Sequence, residues 1–215
     1  MNRVTEKEAI IDNLLLLYLI RRVHEKSETY LGITKLQKLV FIAQKILNDK
    51  GMKAFDYDFF AWNYGPLSKE MYLDRENLIR NDILNHDENI TLSRRGRKLL
   101  EDLREVFESN RDILEILDNV VEKFGNLDTN SLVQYVHDLT VKVQGCEDLI
   151  RIGSLNKGTD IIIKRDKQEI VKTFEINEPW IETLEILMDK EFCDAIKESE
   201  IDVREGRVLP LQEVL

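Results

Sequence analysis

The sequence predicts a mainly α-helical fold: a compact helical domain that includes a short strand or hairpin, followed by a small α+β extension. Apolar residues recur at helical spacing through most of the chain. A hydrophobic content of 43% beside a charged content of 33% is typical of a globular, helix-rich protein. The composition changes near Gly153, so we place the helical domain at residues 1–152 and an acidic extension at 153–215.

Three helices are predicted in the first part of the chain. Residues 5–23 carry a wide apolar face and should form a largely buried helix. A second helix begins near Thr34, because Thr34 and Gln37 have the spacing of a capping box, and it ends before Gly51. Ser68 can cap a third helix of about a dozen residues.

An aromatic run separates the second and third helices. Six of the ten residues from Phe55 to Tyr64 are Phe, Tyr or Trp, against 7% of the whole chain. Gly65 allows a turn, and Pro66 suits the first turn of a new helix. The run therefore predicts a structural motif that builds a surface for another macromolecule. Trp62 and Tyr64 are either exposed contact residues or core residues beside the turn, and we favour core packing.

A strand followed by a helix is predicted next, an order that is common in winged-helix proteins. Residues 89–92 alternate like a strand, and Ser93 can cap a helix to about Phe107. Two more helices follow at about 110–123 and 128–143. The helix after Ser93 begins with a dense basic cluster, Arg94, Arg95, Arg97 and Lys98. This cluster is either a solvated helix face, which we favour, or a contact for DNA phosphates.

Two strands and a helix are predicted in the extension. Residues 161–163 form a strand, with residues 170–174 as its partner. Asn177 then opens an amphipathic helix whose apolar stripe comprises Trp180, Leu184, Leu187 and Met188 and is extended by Phe192 and Ile196. Residues 160–215 contain 15 Asp and Glu against 8 Lys and Arg. This acidic stretch is either a solvated helix face or a surface that binds a partner.

Two stretches carry a family likeness. Residues 33–44 read Ile-Thr-Lys-Leu-Gln-Lys-Leu-Val-Phe-Ile-Ala-Gln, and residues 61–66 read Ala-Trp-Asn-Tyr-Gly-Pro. Together they resemble the Panacea-domain family, which includes SocA-like, phage-associated proteins and many antitoxins. The resemblance covers roughly residues 8–145. The positions that match the family motif are Lys35, Leu36, Gln37, Lys38, Trp62, Tyr64, Gly65, Pro66 and His137.

The resemblance implies the antitoxin of a type II toxin–antitoxin system. Such a protein neutralises a toxin protein encoded beside it, usually by direct contact, although some relatives deliver the toxin to a protease. The family carries no established catalytic residues, so the resemblance implies neither an enzyme nor a cofactor.

The end of the chain has a second, weaker likeness. Residues 188–192 and 201–214 look like the C-terminal segments with which several small antitoxin families wrap their toxins. The likeness implies that acidic residues here face a basic toxin while apolar side chains anchor it. The implied toxin-binding residues are Trp180, Leu184, Leu187, Met188, Phe192, Arg204, Arg207, Val208 and Leu209.

Several functional classes are disfavoured by the sequence. It contains no nucleophile elbow, Walker loop, dinucleotide fingerprint or metal-ligand spacing, so we expect no enzyme and no bound metal. Cys146 and Cys193 are expected to be reduced thiols, and His137 a structural histidine. A net charge of −10 argues against broad attraction to nucleic acid or anionic membrane. The longest apolar run, residues 14–20, is too short to cross a bilayer, and we expect a cytoplasmic protein.

A DNA-binding regulator with a winged-helix-like unit is the alternative. It would use Arg94 to Lys98 and the lysine-bearing helix after Thr34, and it could repress the operon that encodes it. The two functions do not exclude each other, so operator DNA stands as a second partner. The oligomeric state is left open, with a homodimer among the alternatives.

Overall fold

The computed structural model describes residues 6–143, 146, 148–162 and 170–207. In this part of the chain helices predominate, which confirms the mainly α class. The helices are α1 Glu6–Lys26, α2 Ile33–Asp49, α3 Lys69–Arg80, α4 Arg94–Asp102, α5 Arg104–Ser109, α6 Arg111–Phe124, α7 Thr129–Asp138, α8 Glu178–Met188 and α9 Lys190–Arg204. The strands are β1 Met52–Lys53, β2 Phe59–Trp62, β3 Gly65–Leu67, β4 Thr140–Lys142, β5 Leu149–Arg151, β6 Asp160–Ile162 and β7 Lys172–Thr173.

Helix α1 is the centre of the hydrophobic core. Four consecutive leucines, Leu14 to Leu17, are fully buried. Four consecutive positions span the whole circumference of an α-helix, so α1 must be covered on every side. Helices α2, α4, α6 and α8 all contact it. The predicted helix at residues 5–23 is therefore present, and it is buried as the apolar pattern indicated.

The N-termini of the helices show which of the predicted capping residues form a cap. Ser93 caps α4, because its Oγ accepts a hydrogen bond from the Gly96 amide at 3.0 Å. The predicted capping box is wrong. Helix α2 starts after Gly32 without a side-chain cap, and the Gln37 side chain bonds elsewhere. Ser68 precedes α3 as expected, but its hydroxyl makes no capping bond.

Three elements in the middle of the chain differ from the prediction. Residues 89–92 form no strand, and only an isolated bridge joins Leu84 to Leu92. The helix after Ser93 breaks at Leu103 into α4 and α5. The helix predicted at about 128–143 ends at Asp138, after which β4 pairs with β5 in an antiparallel hairpin.

The strands of the extension pair with the preceding helical domain and not with each other. Strand β6 is antiparallel to β2, and β7 is parallel to β1. The predicted pairing of residues 161–163 with 170–174 is therefore wrong, and Ile163 lies outside the described residues. Both strands gain a core that an isolated hairpin would lack, because Ile161 and Phe174 are buried beneath the sheets.

Two further contacts fix the extension to the helical domain. Helix α8 packs on α1 through Ile181 and Leu184, which are buried. Asn110 is also fully buried, and its side chain pairs with both backbone groups of Glu175: Nδ2 donates to the carbonyl at 2.8 Å, and Oδ1 accepts from the amide at 2.7 Å. The Asn110 amide also donates to the Val106 carbonyl at 2.7 Å.

Replacing Asn110 should loosen the extension. Asn110→Ala leaves backbone groups of Val106 and Glu175 without their partner, so we expect the free energy of unfolding to fall by about 1–3 kcal/mol. Urea denaturation followed by circular dichroism measures this change. The matched control is Asn126→Ala at an exposed position, which should stay within about 0.5 kcal/mol of the parent. Equal stabilities of the two variants would contradict the anchoring role.

Candidate functional site

Four polar side chains of α2 face the protein interior. Lys35, Gln37, Lys38 and Gln44 are all buried, and each donates to a backbone carbonyl of another segment. Lys35 Nζ lies 2.6 Å from the Gly125 carbonyl and 2.5 Å from Thr29 Oγ1. Buried polar groups of this kind must be paired, so they specify which backbone segments lie against the helix.

Three of these side chains hold the segment from Tyr57 to Ser68. Gln44 donates to the Tyr57 carbonyl at 2.8 Å, at the start of the segment. Lys38 Nζ donates to the Pro66 carbonyl at 2.7 Å. Gln37 pairs with both backbone groups of Ser68, at 3.0 and 3.1 Å. Strands β2 and β3 are thus fixed to α2 at both ends of the hairpin.

The family-motif glycine lies where a side chain has no room. Gly65 has φ of 84°, and a Cβ there would lie 3.2 Å from Cδ2 of His137 and 3.5 Å from Cε of Lys38. Burial lowers the pKa of Lys38 to about 8. Burial, and then the nearby Lys38 charge, also lowers the pKa of His137. One packed cluster therefore brings together three distant parts of the sequence: Lys38, the Gly65-Pro66 pair and His137.

The tip of this hairpin presents two aromatic side chains to solvent. Trp62 is 46% exposed and Tyr64 is 65% exposed, so the expected core packing is wrong. Strand alternation explains the result, because Phe59 and Ala61 face inward while Phe60 and Trp62 face outward. Tyr64 follows in the turn before β3. We call residues 59–67 the aromatic hairpin.

Two lysines lie over the outward-facing rings of the aromatic hairpin. Lys69 Nζ is 5.5 Å from the centroid of Phe60, and Lys157 Nζ is 5.9 Å from that of Trp62. The Phe60 and Trp62 rings meet edge to face at 6.0 Å. Among the described residues, neither lysine has a carboxylate within ion-pair distance. The outer face is therefore aromatic and carries two lysines without an ion pair in the described part of the chain, with exposed Asp160 opposite Phe60 on β6.

The predicted DNA-contacting cluster lies mostly at the surface, because Arg94, Arg97 and Lys98 are exposed and Arg95 is partly buried. Three of the four side chains nevertheless bind other atoms of this chain. Arg95 Nη2 donates to the carbonyls of Leu187 at 2.8 Å and Asp189 at 3.2 Å, where α8 ends. Arg97 donates to the Leu92 carbonyl at 2.8 Å, and Lys98 pairs with Asp102 at 3.0 Å. Arg94 is exposed, and within the described residues it has no ion pair.

The predicted toxin-binding stripe is divided at Asp189. Trp180, Leu187 and Met188 are partly buried against the core, and Leu184 is fully buried. These four side chains serve the folding of the chain. Phe192 begins a second part of the stripe and is 50% exposed. Of the remaining predicted residues, Arg204 approaches Glu200 at 3.6 Å, Arg207 pairs with Asp202 at 2.6 Å, and Val208 and Leu209 lie outside the described residues.

Helix α9 carries an uncovered apolar stripe. None of its residues is buried. The side chain of Asp189 caps it by accepting from the Phe192 amide at 3.0 Å, and the Lys190 amide donates to Asn81 Oδ1 at 3.1 Å. The helix is thus fixed at its start while its apolar side remains in solvent. The stripe, which we call the α9 stripe, comprises Phe192, Ala195, Ile196, Ser199 and Val203.

Other kinds of site receive little support in the described residues. Their His, Cys, Asp and Glu side chains form no group of three that could hold a metal ion. The described helices include none with the length and apolarity to cross a bilayer. Cys146 is exposed, and the Cys193 thiol donates to the Ile186 carbonyl at 3.2 Å.

Comparison with known proteins identifies a domain in the middle of the chain. Residues 36–141 match the family described as "Antitoxin SocA-like, Panacea domain". The match includes the buried polar residues of α2 after Lys35, the whole aromatic hairpin and His137. Comparison with curated proteins gives no match.

Because Lys38 is buried, we expect the free energy of unfolding to rise with pH. The pKa of Lys38 is about 8 in the folded chain and near 10.5 when it is exposed, so the unfolded chain binds more protons between these values. Stability should therefore increase by about 1–2 kcal/mol from pH 8 to 9.5. Urea denaturation at the two pH values measures this increase, which Lys38→Met should abolish. An equal pH dependence in parent and variant would contradict the assignment.

Arg95 should act as a structural anchor. Arg95→Ala removes two charge-assisted hydrogen bonds at the α8–α9 junction. We therefore expect the free energy of unfolding to fall by about 1.5–3 kcal/mol and proteolysis within α9 to become faster. Limited trypsin digestion with mass spectrometry locates the cleavage. Arg94→Ala is the matched control, because Arg94 is exposed one residue away. Indistinguishable digestion of the two variants would argue against the anchor.

Proposed function

Residues 36–141 are a Panacea domain of the SocA-like antitoxin family, and from this premise we propose that the chain silences a protein toxin by direct contact. The family indicates an antitoxin role in general. The finer proposal is a type II system, in which the toxin is a protein encoded beside the antitoxin and both act in the cytoplasm. The proposed activity is binding alone, with no reaction catalysed by this chain.

The α9 stripe is the observation that carries the proposal. An amphipathic helix normally buries its apolar side, yet Phe192, Ile196 and Val203 are 50%, 41% and 62% exposed. A helix of this kind is the usual ligand of an apolar groove on a partner. The proposed contact is therefore the apolar side of α9 lying in a groove of the toxin.

Charge favours a basic rim around that groove. Residues 178–204 contain nine Asp and Glu against three Lys and Arg. Asp194 pairs with Lys190 at 2.5 Å and Lys197 at 3.2 Å, and three other acidic residues of this stretch also have basic partners. Four exposed glutamates have no ion pair among the described residues: Glu182, Glu185, Glu191 and Glu198. Opposite charges around an interface steer association and fix orientation. A toxin that acts on RNA would supply such a basic surface.

DNA binding receives less support than toxin binding. Lys35 and Lys38, on the helix that was expected to offer lysines to DNA, are buried on backbone carbonyls. Arg95 and Arg97 also hold backbone carbonyls of this chain. Of the four clustered basic residues, Arg94, Arg97 and Lys98 are exposed, but Arg97 donates to the Leu92 carbonyl and Lys98 pairs with Asp102.

A truncation separates the stripe from the folded domain. Removing residues 190–215 deletes α9 and leaves α8 packed on α1, whereas removal from residue 174 would also take Phe174, Ile181 and Leu184 out of the core. We expect the full chain to restore growth of cells that express the product of the adjacent reading frame. The truncated chain should fail to do so. Full rescue by the truncated chain would contradict the role of α9.

Charged substitutions test the stripe in the full chain. Phe192→Glu with Ile196→Glu should weaken the complex with the adjacent-frame product at least about 100-fold, because two apolar anchors are lost. Isothermal titration calorimetry with purified proteins measures the dissociation constant. Leu73→Glu is the matched control, since Leu73 is 65% exposed on α3. Unchanged affinity of the α9 variant would rule out this surface.

A further inference from the structure

The outer face of the aromatic hairpin belongs to neither the core nor the α9 stripe. We propose that it is a second contact surface for the same toxin, which receives Trp62 and Tyr64 in an apolar pocket rimmed by carboxylates. This inference rests on the proposed function and deepens it, because it gives the Panacea domain its own part in the complex.

The exposed aromatic side chains indicate a contact surface. Trp62 is 46% exposed and Tyr64 is 65% exposed, side by side at the tip of one hairpin. Trp and Tyr are the residues most enriched among those that carry the binding energy of protein interfaces. Exposed apolar area that is concentrated at one place marks an interaction site, in contrast to single apolar residues scattered over a surface.

The backbone of the aromatic hairpin is also fixed in the free chain, before any partner binds. Gln44, Lys38 and Gln37 tie the backbone of Tyr57, Pro66 and Ser68 to α2. His137 packs against Gly65 behind the turn, with a distance of 3.2 Å from its Cδ2 to the position of a Cβ. A partner therefore need not order this backbone, and less conformational entropy is lost when the complex forms.

The charges beside the rings favour an acidic rim on the partner. Lys69 and Lys157 lie over Phe60 and Trp62 and have no carboxylate within ion-pair distance among the described residues. Several other lysines do have such partners: Lys45 pairs with Asp49, Lys53 with Glu8, Lys98 with Asp102 and Lys172 with Asp112. In a chain with 41 acidic side chains, two unpaired lysines on one aromatic face are available to carboxylates of a partner.

The two surfaces differ in charge, and this difference fixes how the toxin is oriented. The α9 stripe lies in an acidic segment, while the aromatic hairpin is flanked by Lys69 and Lys157. A toxin with one basic groove and one acidic pocket can satisfy both surfaces in a single orientation. Two contacts on one rigid chain also raise the effective concentration of the second once the first has formed.

Single-stranded nucleic acid is the competing occupant of an aromatic, lysine-flanked surface. Bases stack on the open faces of aromatic rings, but the ammonium groups of Lys69 and Lys157 already lie over Phe60 and Trp62. The net charge of −10 also opposes long-range attraction to phosphates. These observations favour a protein pocket.

Removal of the two aromatic side chains tests the surface. Trp62→Ala with Tyr64→Ala in the full chain should weaken binding to the adjacent-frame product at least about 100-fold in calorimetry. Tyr30→Ala is the matched control, because Tyr30 is 52% exposed on the loop before α2. Urea denaturation of each variant shows that the fold is intact, and affinity equal to that of the control would overturn the inference.

Charge reversal tests the acidic rim separately. Lys69→Glu with Lys157→Glu should weaken the complex at least about 10-fold, and the loss should shrink at high salt. Lys98→Glu, on a solvated face of α4, is the control for the added negative charge. Substitution of both hairpin lysines by Arg should preserve affinity. Affinity unchanged by the Glu variants would overturn the acidic pocket.

The remaining outcomes separate this inference from the proposed function. Absence of any complex between the full chain and the adjacent-frame product would overturn both. A complex that loses affinity with the α9 variant but not with the hairpin variants would overturn this inference alone. Fluorescence anisotropy with a single-stranded RNA of about 12 nucleotides tests the competitor, and binding that Trp62→Ala abolishes would also overturn it.

Discussion

The hydrogen bonds from α2 to the backbone of the aromatic hairpin are the constraint on which the candidate site depends. Gln37, Lys38 and Gln44 are buried, and they donate to the carbonyls of Ser68, Pro66 and Tyr57. A buried polar group is costly to leave unpaired, so these contacts admit one position of the hairpin against the helix. Burial in the same place takes the Lys38 ammonium out of water and lowers its pKa to about 8. The rigid hairpin therefore follows from the residues of the helix that lies beneath it.

The extension consists of two parts with different roles, and the boundary between them is Asp189. Before this residue, Leu184 and its neighbours complete the core on α1, and Asn110 ties the backbone at Glu175 to the helical domain. After it, no residue of α9 is buried. Arg95 binds the carbonyls at the junction, so the free helix projects from a fixed point. A part of the chain that folds with the core thus positions a part that remains available to a partner.

The sequence was sufficient for the helices and insufficient for the contacts between distant segments. Apolar spacing predicted α1, α2 and α6 closely, because that signal is local. The pattern Thr34 to Gln37 is compatible with a capping box and equally with an inward-facing Gln37, and only the position of Ser68 decides. Strands β6 and β7 pair with residues a hundred or more positions earlier, which no local pattern reports. Two missed features did leave signals: Asp189 as a helix cap, and the alternation that turns Trp62 outward.

Hydrogen–deuterium exchange of the full chain, alone and with the product of the adjacent reading frame, tests the central claim most directly. The account predicts that backbone amides of the aromatic hairpin exchange slowly in the free chain, because α2 holds it. Addition of the partner should slow exchange further at residues 59–67 and 190–204, the two proposed contact surfaces. Rapid exchange of the hairpin in the free chain, or protection confined to other segments in the mixture, would contradict the account.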